Sequence, residues 1–300
     1  MKAILAILKK EFIHIRRDPR MLPILFLAPI IQLLLLGYAV NLDVRDIPTV
    51  VCDQDRTPQS RDYLEAYFQS GYFSRRGDVA RAGIRPVIID PKVRVFYNPD
   101  LKSRNFLVPG VLGLILMIMT MMLASMGIVR EKETGTLEQL IVTPIRPGQL
   151  ILGKLLPFLV IGVIDVVLIT SLVVFAFRVP FRGGVLTLGV QSLLFMLTTL
   201  GLGLLISTFS RNQQQAMLTA VFFMIPMILL SNFVFPVENM PGFFRAVTAL
   251  VPIKCYFSVI RGIFLKGSGW VELWDEAVIL AVFGAAILGL SVARFRKRLE

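Results

Sequence analysis

The sequence predicts an all-α polytopic membrane protein, and three observations predict it. Hydrophobic residues make up 55% of the chain and charged residues only 17%, and mean hydropathy is +0.72, too apolar for a soluble domain of 300 residues. Several stretches are long enough to cross about 30 Å of hydrocarbon at about 1.5 Å per residue. The basic residues behind the net charge of +12 cluster beside those stretches instead of lining one polar face, which assigns the charge to a membrane surface and excludes nucleic acid as its partner.

Residues 1–20 read as an interfacial helix: Ile4, Leu8, Phe12 and Ile15 recur at helical spacing with basic residues between them. Asp18-Pro19 then breaks it, because proline disfavours helix in the residue before it. The six expected spans are 21–40, 106–129, 153–177, 185–209, 215–235 and 273–292. The first is retained as a helix, since it follows a basic segment and ends in GYAVNLDV without a small-residue cleavage site. Lys2, Lys9, Lys10, Arg16, Arg17 and Arg20 before it, with Arg294, Arg296, Lys297 and Arg298 after the last span, place both termini in the cytosol.

Between the first two spans, 41–105 is a small α+β extracytoplasmic insertion, with strand-like IPTVVCD and VIIDPKVRVFY around a helix-forming SRDYLEAYFQSGYF. Residues 106–300 hold the second to sixth spans. Within them, 236–257 is too broken by proline for a straight span and too apolar for an exposed loop, so a re-entrant or interface-lying helical pair is expected, its backbone buried in protein.

The stretch 130–145, REKETGTLEQLIVTPI, sets an amphipathic helix between two spans. Thr136 and Gln139 form a capping box, Pro144 ends the helix, and Leu137, Leu140 and Ile141 share one face. Glu131, Glu133 and Glu138 make an acidic patch on an otherwise basic side, better suited to a protein than to anionic lipid. A solvated loop is the alternative on charge alone.

Catalysis finds little support. His14 is the only histidine and lies in the interfacial helix, so neither a Ser-His nor a metal-His site assembles within the membrane, and no metal site is expected. Cys52 and Cys255 fit no redox or metal spacing. GQLILGKL at 148–155 imitates a phosphate-binding loop but has Leu155 where the hydroxyl residue belongs; the segment reads as the start of the third span, with Lys154 snorkelling to the interface. The chain therefore carries no recognisable ATP site.

Two features suggest a substrate path. Asp165 falls near the middle of the third span, where a carboxylate must face protein or a watery cavity, either to bind cations or to fix packing. Met119, Met122 and Met126 form a stripe of adaptable thioethers, with Phe222 and Phe223 as further candidates; the alternative is that these methionines meet lipid or fill gaps between helices. Gly113, Thr120, Ala124 and Gly127 form a second stripe that admits a neighbouring helix closely.

Seven blocks, EFIHIRRDPR, VVCDQDRTPQSR, YNPDLKSRNFLVPG, REKETGTLEQLIVTPIRPGQLILGKLLP, RNQQQAM, FVFPVENMP and VIRGIFLKG, run from the N-terminus to near the last span. Through them the chain resembles a permease subunit of the type-2 ABC transporters, the drug and lipid exporter branch. The resemblance implies a six-helix permease that pairs with a second permease, as a homo- or heterodimer, and with two ATPase subunits that bind the ATP and Mg and perform the hydrolysis. It further implies that 130–143 is the coupling helix on the ATPase, with Glu131, Glu133, Thr136, Glu138 and Gln139 as contacts and Glu11 and Arg17 as secondary ones. A periplasmic adaptor and an outer-membrane channel are partners of similar exporters. The family's outer domain is usually larger than 41–105; a natural short variant and an edited chain both fit. The function expected is efflux of hydrophobic or amphipathic drug-like molecules or lipids by alternating access. A secondary active transporter and a membrane anchor or signalling subunit are the alternatives, although the chain shows no inverted repeat of broken helices.

Overall fold

The computed structural model describes residues 2–17, 22–39, 47–51, 57–69, 73–78, 103–135, 147–237 and 240–296. Two compact units emerge, one formed by residues 1–40 and 104–300 and the other by 41–103.

The larger unit is helical. Its first helix, α1 (Lys2–Arg17), ends just short of the Asp18-Pro19 break. A π-helical turn, Pro23–Leu27, leads into α2 (Ala28–Ala39). The smaller unit contains β1 (Ile47–Val51), α3 (Pro58–Gln69) and β2 (Phe73–Asp78). The two strands pair in parallel, Ile47 opposite Phe73, with an irregularity between Thr49 and Val50. Parallel pairing requires a crossover, and α3 supplies it. β2 is a difference from expectation: FSRRGD is too polar to signal a strand, and pairing with β1 fixes it. The expected strand VIIDPKVRVFY lies outside the described residues.

Four further helices are long and apolar enough to cross a bilayer: α4 (Ser103–Glu133), α5 (Pro147–Phe175), α6 (Val185–Phe209) and α10 (Trp274–Arg296). Between α6 and α10 lie α7 (Gln213–Leu229), α8 (Gly242–Thr248) and α9 (Pro252–Arg261), the last continued by a π-helical turn, Gly262–Lys266. Asn212 caps α7 by accepting from the Gln215 amide at 2.7 Å. The segment expected to extend to 235 instead leaves helix after Leu229, and Asn232 takes φ 65°. At about 1.5 Å per residue α7 is roughly 25 Å long, as is 23–39, both short of a full crossing when upright. The bent pair of α8 and α9 turns through 76° and runs on to Lys266, nine residues beyond the expected limit at 257, because the VIRGIFLKG block stays helical as a buried π turn.

Packing follows the small residues. A Cβ at Gly203 on α6 would stand 2.5 Å from the Met121 carbonyl and 2.7 Å from the Ala124 Cβ on α4, so these two backbones meet at the closest spacing side chains allow. Thr120 and Thr199 bond hydroxyl to hydroxyl at 2.7 Å across the same seam. Gly113 and Gly127, from the same small-residue stripe, receive the rings of Phe257 and Phe158. Along α10, Ser291 donates to the Gly201 carbonyl at 3.0 Å. The core centres on Met117, Met121, Phe195, Tyr256, Phe257 and Phe264, all fully buried. Phe195 stacks on Tyr256 at 4.2 Å, and the Tyr256 hydroxyl bonds to Ser192 at 2.7 Å.

Candidate functional site: a fastened helix end and a buried carboxylate

The last turn of α4 stands immediately before the 136–146 stretch, and its residues Glu131, Lys132 and Glu133 are all engaged. Glu131 pairs with Lys154 of α5, whose side chain is only 6% exposed, and with Lys10 of α1 at 3.3 Å. Lys132 donates to the Ser210 carbonyl at 3.0 Å. Glu133 accepts the Gln213 backbone N–H at 2.9 Å and also the Gln213 side-chain amide. It thus occupies the first turn of α7, where an acidic group matches the positive end of the helix. One helix end is fastened on one side to α1 and α5 and on the other to the α6–α7 turn.

Lys154 corrects an expectation. Instead of snorkelling to an interface it is 5% exposed, because α1 covers it: Ile7 lies 3.0 Å from where a Cβ would stand at Gly153. A cation so enclosed needs a counter-charge, and Glu131 is that charge. Residues 148–155 are continuous helix, not a loop, so this segment cannot cradle phosphate as a glycine-rich loop does. The residues here do not fit a nucleotide.

Of the expected coupling residues, Glu131 and Glu133 are thus brought together. Glu11, half-buried on α1, is close enough to Lys154 for their charges to interact, while Arg17 stands exposed at the end of α1. Thr136, Glu138 and Gln139 lie outside the described residues, as does the capping box they were expected to build. Sequence reasoning missed Lys10, Lys154 and Gln213 as partners. A lysine at the start of an apolar span is the signal for Lys154; Gln213, 80 residues from Glu133, carries none.

The expected substrate-path residues take different positions. Asp165 is 1% exposed, and neither carboxylate oxygen has a hydrogen-bond partner among the described residues. Met119 and Met122 are half-buried against the core and Met126 is half-buried. Phe222 and Phe223, edge to face at 6.1 Å, are 71% and 47% exposed on α7. Asp165 therefore turns inward where the phenylalanines turn outward. On α4 the most enclosed thioethers are Met117 and Met121, which the stripe did not include.

Comparison with known proteins adds the family context. The family model described as "ABC-2 type transporter" matches residues 2–265. The chain is 36% identical over 241 residues to the probable multidrug ABC transporter permease YbhS of Escherichia coli K12, covering 79% of this chain and 63% of that protein. It thus spans somewhat less than two thirds of that relative. With the probable multidrug ABC transporter permease YbhR of the same organism it shares 27% identity over 363 aligned positions, covering 97% of this chain and 98% of the relative. It is also 26% identical over 188 residues to ABC transporter G family member 20 of Dictyostelium discoideum, covering 62% of this chain and 26% of that protein.

Proposed function

The chain belongs to the ABC-2 type transporter family, and from that premise we propose that it is the permease subunit of an ATP-driven exporter. Its cargo is a hydrophobic or amphipathic drug-like molecule or a lipid, moved outward across the cytoplasmic membrane by alternating access; two relatives carry the name multidrug permease. ATP is bound and hydrolysed on separate ATPase subunits, and a second permease, identical or related, completes the transporter. A periplasmic adaptor and an outer-membrane channel are further partners, met by residues 41–105. In this topology 23–39 and α7 are counted as spans with α4, α5, α6 and α10, giving six. Both termini and 136–146 are cytosolic, and the bent pair α8–α9 lies near the opposite face.

The observation that carries this reading is the doubly fastened end of α4. A load applied at 136–146 by an ATPase meets a helix end joined to α1, α5 and α7, so the push is shared among helices and not lost in one loop. Glu138 and Gln139 supply the polar contact, with Glu131 and Glu133 holding the turn behind them. Asp165 and the Met119, Met122 and Met126 stripe line the export path, the former for cationic cargo and the latter for varied apolar shapes.

The test is co-purification with candidate ATPases and drug-stimulated ATP turnover in proteoliposomes. Glu138→Arg is expected to abolish ATPase association and stimulated turnover while the permease remains folded, since reversing one charge turns attraction into repulsion at the docking surface. Unchanged turnover in that variant would leave 136–146 the role of a solvated connection.

A further inference from the structure

Arg261, the last residue of α9, is held as a flat plate. Its guanidinium carbon stands 3.8 Å from the ring centre of Phe106 on α4 and 5.9 Å from that of Phe257, and one terminal nitrogen donates to the Asn232 carbonyl at 3.0 Å. The surrounding rings are fixed in turn. Phe257 stacks with Phe233 at 5.1 Å. Gly110, one turn beyond Phe106, lets the Phe233 ring approach to 2.5 Å from where a Cβ would be.

This plate has unspent hydrogen-bonding capacity. A guanidinium carries five N–H donors, yet Asn232 receives from only one nitrogen, and the buried Nε has no partner among the described residues. No described carboxylate forms an ion pair with it. A half-buried cation with neither counter-charge nor filled donors is costly to keep. Nε is enclosed and one terminal nitrogen already serves Asn232, so the donors left for a ligand are those of the two terminal nitrogens beside the Phe106 face, a pair that can grip a phosphate with two parallel bonds.

We propose that Arg261 and Phe106 form a seat for the phosphate of an anionic phospholipid. A lipid is favoured over a free anion by the setting. Phe106 belongs to the first turn of α4, about 38 Å along the helix from Glu131 at ~1.5 Å per residue, which is the distance from one headgroup layer towards the other. Phe106 as a whole is 42% exposed, so an acyl chain has an apolar surface beside the charged edge. The seat is independent of the export reading and of any ATPase.

The experiment uses the purified full chain in detergent, titrated with dioleoylphosphatidylglycerol, dioleoylphosphatidylcholine or inorganic phosphate, with lipid adducts counted by native mass spectrometry. Phosphatidylglycerol should bind the wild type, and Arg261→Gln should weaken it about tenfold, the size of a charge-assisted hydrogen bond. Phosphatidylcholine should bind both proteins alike. Wild-type affinity for phosphatidylglycerol in Arg261→Gln overturns the seat. Displacement of the lipid by millimolar phosphate makes a soluble anion the ligand and overturns the lipid assignment. Arg261→Lys covers the case in which the glutamine variant fails to fold: it keeps the charge without the planar fork, so several-fold weaker phosphatidylglycerol binding supports the seat and equal binding refutes it.

Discussion

At Glu131 the charge that makes the 130–145 stretch acidic is already matched within the chain. Lys154 closes on one carboxylate oxygen and Lys10 approaches the other at 3.3 Å. These two pairs differ in weight. Lys10 is 56% exposed, so its contribution is screened to less than about 1 kcal/mol, whereas Lys154 is enclosed, and removing one member of a buried pair costs about 3–5 kcal/mol. Lys154→Met should therefore lower the thermal midpoint of the purified permease markedly, and adding Glu131→Gln should recover most of the loss; a double variant no better than the single would show that the two charges are not coupled. Asp165 poses the opposite case, a buried carboxylate with no partner among the described residues. Asp165→Asn is expected to reduce export of cationic compounds selectively, with neutral substrates and membrane levels near normal; uniform export of both classes would leave a packing role. Both acids were legible as chemistry in the sequence. Their surroundings were not, because Lys10 is 121 residues from Glu131 and no local pattern encodes such a meeting.

Among the elements, the long spans α4, α5, α6 and α10 were legible because hydropathy over some twenty residues is a strong signal where every backbone group must be satisfied internally. Their ends were set by residues with mechanisms: Pro147 opens α5, and Asn212 caps α7. The bent pair was readable as broken helix from its prolines, yet its extent was not, since the π turn Gly262–Lys266 depends on burial against Leu273 and Ser268 and not on local preference. β2 was illegible for a similar reason, its polar sequence becoming a strand only through its partner. The small-residue stripe on α4 was readable as a close-packing face, and Gly203 on α6 is its counterpart. Gly203→Val would drive a side chain into the Met121 carbonyl, and since backbone cannot yield as a flexible side chain can, a loss of about 1–3 kcal/mol is expected. Thermal unfolding in detergent measures it; an unchanged midpoint would mean that α4 and α6 are not packed so closely.

For the whole molecule, composition alone determined the solvent in which the chain folds, and the +12 charge located its flanks. The order of helices in the larger unit follows from connectivity, but two of its apolar helices are near 25 Å, and hydropathy does not reveal that length. The proposed topology puts 136–146 in the cytosol and 41–105 outside. Single cysteines at positions 138 and 59 in a variant lacking Cys52 and Cys255 test it: an impermeant thiol reagent applied to intact cells should label position 59 and spare position 138. The reverse pattern would invert the molecule and remove the coupling proposal with it.

The clasp between Glu133 and Gln213 also has a place in time. The two residues are 80 positions apart, so a ribosome adding about 5–20 residues per second delivers Gln213 roughly 4–16 s after Glu133. During that interval α5 and α6 enter the membrane while the end of α4 is held only from the side of Lys10. Lys154 arrives in between and completes the first fastening. The two anchors of α4 are thus made in sequence, and the one to α7 closes only after α6 has been threaded.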